Sequence, residues 1–188
     1  QVFFWTKRRW VSFFLPNFAA DMIVKVKDQA LAQAATQGMD EFVQTIVDAI
    51  YQAIGGHLDA ETMAKLNADQ ITLLGYVALR DELMDGGFVQ LIHNGWGGFI
   101  FNNPFDKAVR GWGLPNLCSL IRHAHKLYSK YHEDIERDCT DDEFMAMFER
   151  YPEFDDLDDQ FVEGEEGFTS AVAHYVDDHL DRFCEIEP

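Results

Sequence analysis

The stretch NADQITLLGYVALRDELMDGGFVQLIHN, residues 67–94, decides the fold. Ile71, Leu74, Ala78 and Leu79 recur at the spacing of one helix face, and Asn67 stands where an N-cap residue belongs. Gly86-Gly87 stops that helix, and residues 88–93 read as a short helix of their own. The pattern is helix, glycine break, helix, without the strict alternation that a half-buried strand shows.

Working outward, the same grammar repeats. Residues 28–38 are rich in Ala and Gln, which favours helix. Asp40 is placed to cap a helix whose face is Val43, Ile46, Val47, Ile50 and Ile54, and Gly55-Gly56 ends it. Residues 94–103, NGWGGFIFNN, read as a loop with room for one short hairpin. Pro115-Asn116 opens a long helix with Leu117, Leu120, Ile121, Ala124 and Leu127 inward. Thr140 and Glu143 have the spacing of a capping box, ahead of Phe144, Met147 and Phe148. Pro152 breaks the chain. Phe154, Leu157 and Phe161 mark a short helix, and Val172, Tyr175, Val176, Leu180 and Phe183 a last one. The expectation is an all-α (mainly α) protein, a single compact helical domain of six to eight helices over residues 1–188, in which 1–57 form an N-terminal helical extension.

Charge is the most informative quantity. The chain of 188 residues carries a net −18. Residues 1–132 hold 12 Asp/Glu and 12 Lys/Arg, whereas residues 133–188 hold 21 Asp/Glu against Arg137, Arg150 and Arg182. The whole imbalance therefore sits in the last 56 residues. Crowding like charge opposes folding through self-repulsion, and holding a positively charged partner is the simplest reason for it. Between residues 153 and 166 the acids are interleaved with Phe154, Leu157 and Phe161, as on an amphipathic helix with a carboxylate face. Acids three or four apart there lie about 5–6 Å apart at Cβ, near the spacing of successive phosphates on a nucleic-acid strand. The expected partner-binding residues are Asp155, Asp156, Asp158, Asp159, Glu163, Glu165 and Glu166, joined by Asp177, Asp178 and Asp181.

Other chemistries find little support. No stretch fits an EF-hand loop, and a crowd of exposed acids is not the isolated pair of a glycosidase. His123 and His125 point to different helix faces. His174 and His179 lack the spacing of a zincin helix, and no phosphate-binding glycine loop or nucleophile elbow occurs. An enzyme would have to use Trp96, Phe99, Phe101, Asn102 and Asn103 as a ligand cleft. No catalytic residue, metal or cofactor is expected. Direct nucleic-acid binding is disfavoured, because phosphate contacts need cations and the Lys7-Arg8-Arg9 patch is small. That patch, with the apolar run from Trp10 to Leu15, faintly resembles a signal peptide, but Pro16-Asn17 breaks it and no small-x-small cleavage site follows. No membrane span is present. Cys118, Cys139 and Cys184 form no CxxC pair and read as thiols of a reducing compartment. The expected location is the cytoplasm.

With the residues read, a family likeness follows. The run from Leu79 through Gly86-Gly87-Phe88 to Gln90, then Asn94, resembles the helix–Gly-Gly-Phe-x-Gln…Asn signature of the bacterial DNA-mimic protein family. The run from Phe154 to Phe161, and the later Ala171-Val172-Ala173-His174-Tyr175-Val176, are similar to its C-terminal signature. The likeness covers roughly residues 66–183, so 58–188 reads as a DNA-mimic-like domain. The family commonly has Asn before Gly-Gly-Phe, where this chain has Asp85. The motif itself reads as structural: the glycines end a helix, Phe88 enters the core, and Gln90 and Asn94 satisfy loop backbone. The resemblance implies an α-helical, often dimeric and non-catalytic protein. In its characterised branch, acidic side chains imitate DNA phosphates and occupy a DNA-binding protein. The expected partner is therefore a basic DNA-binding protein such as a transcription regulator. The alternative is an immunity or antitoxin-type protein that neutralises a basic toxin or nuclease.

Overall fold

The computed structural model describes residues 22–188; the basic and aromatic segment with Lys7-Arg8-Arg9 lies outside the described residues. In chain order the elements are β1 (Lys25–Lys27), α1 (Asp28–Gln37), α2 (Met39–Ala53), α3 (Ala60–Met63), α4 (Ala68–His93), α5 (Gly97–Asn102), α6 (Phe105–Gly111), α7 (Pro115–Ile135), α8 (Asp141–Arg150), α9 (Asp155–Asp178) and β2 (Glu185–Glu187). Short 3-10 turns at Pro152–Phe154 and Leu180–Arg182 flank α9. The fold class is all-α, as the sequence predicts, with nine α-helices among the described residues. The two strands pair in parallel, Val26 opposite Ile186, and are not the hairpin expected near residue 100.

The chain divides into two compact units, one of them Gly75–Glu165 and the other, among the described residues, 22–74 with Glu166–Pro188. In the second, α2 buries Phe42, Val43, Ile46, Val47 and Ile50, the face read from its spacing. Its N-cap is Gly38 rather than Asp40, which lies in the first turn, where its charge suits the helix dipole. Gly55 and Gly56 end it with φ of +84° and +88°, a region open mainly to glycine. Asn67 caps α4 as expected: its Oδ1 accepts from Gln70 N at 2.9 Å, and Gln70 Oε1 accepts from Asn67 N at 3.1 Å. The same two side chains donate to the carbonyls of Arg182 and Phe183, tying the start of α4 to the chain's C-terminal end.

In the Gly75–Glu165 unit, α7 and α8 begin where Pro115 and the Thr140–Glu143 capping box place them. Two expectations fail, for the same reason. Residues 97–102 form helix α5 instead of a loop or hairpin, because Phe99, Ile100 and Phe101 are all buried. Gly97 is needed there: a Cβ would lie 2.5 Å from the Tyr128 ring. Likewise Phe154–Phe161 and Val172–Val176 do not mark two helices. They share the single helix α9, which runs through Gly164 and Gly167, since Phe161, Thr169, Val172 and Val176 continue one buried stripe at helical spacing.

Helix α4 is kinked at Gly86 and Gly87, whose backbones are not helical. Phe88 restarts it and is fully buried, its ring 6.2 Å from Phe101 and 6.1 Å from Phe154. Phe88→Ala is expected to cost about 3–5 kcal/mol in urea denaturation. Gly87→Ala, with φ at +71°, should also destabilise, through strain rather than a cavity. A Phe88→Ala variant as stable as the parent would show that the kink is not held by this packing.

Candidate functional site

The Gly-Gly-Phe segment and the acidic helix meet at one residue. Asp158, in the first turns of α9, accepts a hydrogen bond from the backbone N of Phe88, Oδ1 to N 2.8 Å. It thereby caps the restarted part of α4 from a different helix, satisfying a donor that the kink orphans. A Cβ on Gly87 would stand 2.3 Å from the Asp158 carboxylate, so the approach requires glycine. A Cβ on Gly86 would similarly meet Gln90. Gln90 and Asn94 do not serve loop backbone, as expected, but bind carboxylates. Glu82 Oε2 accepts from Gln90 Nε2 at 3.0 Å and from Asn94 Nδ2 at 2.9 Å, and Asp85 Oδ2 accepts from Gln90 Nε2 at 2.8 Å. Burial raises the pKa of Glu82 against the opposing pull of these two amides.

Of the carboxylates read as a binding surface, Asp158 is thus the one turned inward. Burial lifts its pKa to about 7, with the charges of Asp155 and Asp159 adding to the rise and the Phe88 N–H opposing it. Asp155, Asp156, Asp159 and Glu163 are exposed. On a helix of about 3.6 residues per turn these four fall within about 100° of arc, opposite the buried Phe154, Leu157 and Phe161. Among the described residues none of the four forms an ion pair. Glu165 is half-buried and engaged in contacts of its own. In the other unit, Glu166, Asp177, Asp178 and Asp181 are exposed.

The three arginines of the acidic third are committed elsewhere. Arg137 binds Asp134 at 3.1 Å and Glu143 at 3.5 Å, Arg150 binds Asp134 at 3.1 Å, and Arg182 lies 3.7 Å from Asp69. These contacts hold carboxylates low: the Tyr151 hydroxyl, then Arg150 and Arg137, depress Asp134, and the Thr140 backbone and hydroxyl depress Glu143. Among the described residues, the outer face of α9 has no cation paired with it.

Most of the remaining candidates resolve into packing. Trp96, Phe99 and Phe101 are buried, and Phe101 with the flanking Asn102 and Asn103 also lines a pocket between α5, α6 and α7. His132 and His179 bond the carbonyls of Tyr128 and Tyr175, four residues back. Among the described residues no cluster of three His, Cys, Asp or Glu side chains is arranged to hold a metal, no helix is long and apolar enough to cross a membrane, and the three cysteines are free thiols. The sequence reading missed Glu82 as the hub of the Gln90 and Asn94 amides. Its spacing was the available signal, since Glu82 lies one and two turns from Asp85 and Gln90 on the same strip of chain.

Asp158 sets a pH dependence of unusual sign. Its folded pKa lies above that of the unfolded chain, so the folded state binds more protons between pH 4 and 7. Its contribution to stability is therefore lost as pH rises through that window, by on the order of 4 kcal/mol. Asp158→Asn keeps an acceptor for Phe88 N and has no proton to lose. Relative to the parent, it should gain stability steadily from pH 4.5 to 8 in denaturant titrations; a constant difference would mean that Asp158 titrates normally.

The profile of the DMP19-like protein family matches residues 64–179, more than half of the chain and nearly the span over which the resemblance was read. The DNA mimic protein DMP19 of Neisseria meningitidis serogroup B is 28% identical over 127 residues, covering 67% of this chain and 77% of that protein. The matched span takes in the kinked helix, the Gly-Gly-Phe segment and the acidic helix with the Asp158 contact that joins them, and the chain belongs to the DMP19-like protein family.

Proposed function

We propose that this chain is a non-catalytic DNA mimic that holds a basic DNA-binding protein, such as a transcription regulator, against the outer face of α9. The observation that carries the reading is the set Asp155, Asp156, Asp159 and Glu163: exposed, confined to one side of one helix, and without a cationic partner among the described residues. Such a face presents several anionic oxygens along one side of a helix, which suits a surface shaped for the phosphates of DNA. Membership of a family with a relative named as a DNA mimic supports the same reading. Glu166, Asp177, Asp178 and Asp181, exposed in the other unit, are further acids available to a basic partner. Asp158 belongs to the scaffold of the face: its hydrogen bond from Phe88 N ties down the helix that displays the others.

The test neutralises Asp155, Asp156 and Asp159 to Asn and Glu163 to Gln, leaving Asp158 in place. Stability should be unchanged or slightly higher, because like charges repel. The partner captured from the native cell should associate about tenfold or more slowly, with a flatter salt dependence, since charge acts chiefly on encounter. Duplex DNA should displace the parent chain from it. Binding insensitive to salt and to the four substitutions would leave α9 a solvated surface. Binding sensitive to charge but not displaced by DNA would favour neutralisation of a basic toxin.

A further inference from the structure

Between residues 86 and 132 the charge runs opposite to that of the acidic third: Lys107, Arg110, Arg122, Lys126 and Lys130 stand against Asp106 alone. Two of these cations, Lys107 and Arg122, line a pocket of about 270 Å³ made by the end of α5, the start of α6 and the middle of α7. Its floor is apolar, with Ile100, Phe101 and Ile121 all buried. Asp106 Oδ2 accepts from Arg122 Nε at 2.7 Å, which orients the guanidinium. That bond leaves both terminal NH₂ groups of Arg122 unused among the described residues, and the Lys107 ammonium has no ion pair there either. The His125 ring stacks on Phe101, centroids 5.7 Å apart and planes at 22°, and adds a ring nitrogen to the rim.

We propose that this pocket binds a small molecule carrying a phosphate or carboxylate on a flat, apolar body. Arg122 and Lys107 are the charged donors, and the exposed Pro104 and His125 rings, backed by Phe101, seat the body. A guanidinium already held through Nε by a carboxylate offers its remaining N–H groups in a fixed fork, which suits an oxyanion's paired oxygens. The volume lies just below the usual range of small-molecule sites, about 300–1,000 Å³, which limits the ligand to little more than one ring and its anionic group. The net −18 of the chain repels anions at long range. At about 0.15 M salt, however, charges beyond about 8 Å are largely screened, so the local excess of Lys107 and Arg122 over Asp106 governs binding.

The proposal is independent of the acidic face, and its test uses the full chain. Phenyl phosphate and benzoate are titrated at constant ionic strength and followed by amide NMR. Saturable shifts at Phe101, Asn102 and Asn103 are expected with at least one probe, and comparing the two identifies the preferred anion. Arg122→Gln, at a half-exposed position, should weaken binding by about tenfold, and Lys107→Gln should weaken it less. Lys65→Gln, in the other unit, should leave it unchanged. Shifts that do not saturate with either probe, or an affinity unaltered by Arg122→Gln, would overturn the assignment.

Discussion

The Gly75–Glu165 unit depends on one hydrogen bond between distant parts of the chain, from the Phe88 backbone N–H to the Asp158 carboxylate. A helix that stops at Gly86 and restarts at Phe88 exposes new backbone donors in the middle of a core, where an unsatisfied N–H is costly. Asp158 supplies the acceptor. It can do so only because Gly87, in a left-handed conformation and without a side chain, lets a second helix approach. Phe88 then falls between Phe101 and Phe154, so the same contact that caps the helix also sets the aromatic core. Gln90, Asn94 and Glu82 lock the outside of the kink.

That bond also divides labour along α9. Four successive acids, Asp155, Asp156, Asp158 and Asp159, look alike in sequence. Helical geometry turns one onto Phe88 and leaves three in water. Two exposed carboxylates about 6 Å apart repel by only about 0.7 kcal/mol in water, and acids in the first turn gain from the helix dipole. The outer charges are therefore tolerated. The inner one, removed from water and beside two like charges, is driven towards its neutral form.

Charge is arranged with the same economy elsewhere. Arg137, Arg150 and Arg182, the cations of the acidic third, bind Asp134, Glu143 and Asp69, and none pairs with the outer face of α9. The opposite sign gathers on α6 and α7, where Lys107, Arg110, Arg122, Lys126 and Lys130 stand close together in the chain. Acidic and basic side chains are thereby concentrated on different stretches of the chain.

The sequence by itself determined the helical class, most of the helix starts and stops, the inward faces of α2 and α7, and the concentration of acid near the C-terminus. These follow from local rules: the period of apolar residues, capping side chains within three residues of the donors they satisfy, and glycines at positive φ. Only the tertiary structure decided that NGWGGFIFNN becomes a helix, that α9 runs unbroken through two glycines, and that Asp158 differs from its neighbours. In the first two cases burial of aromatic and aliphatic side chains outweighs weak local propensity. In the third, the partner of Asp158 lies 70 residues away, and no local pattern can report a contact that exists only once two distant helices have packed.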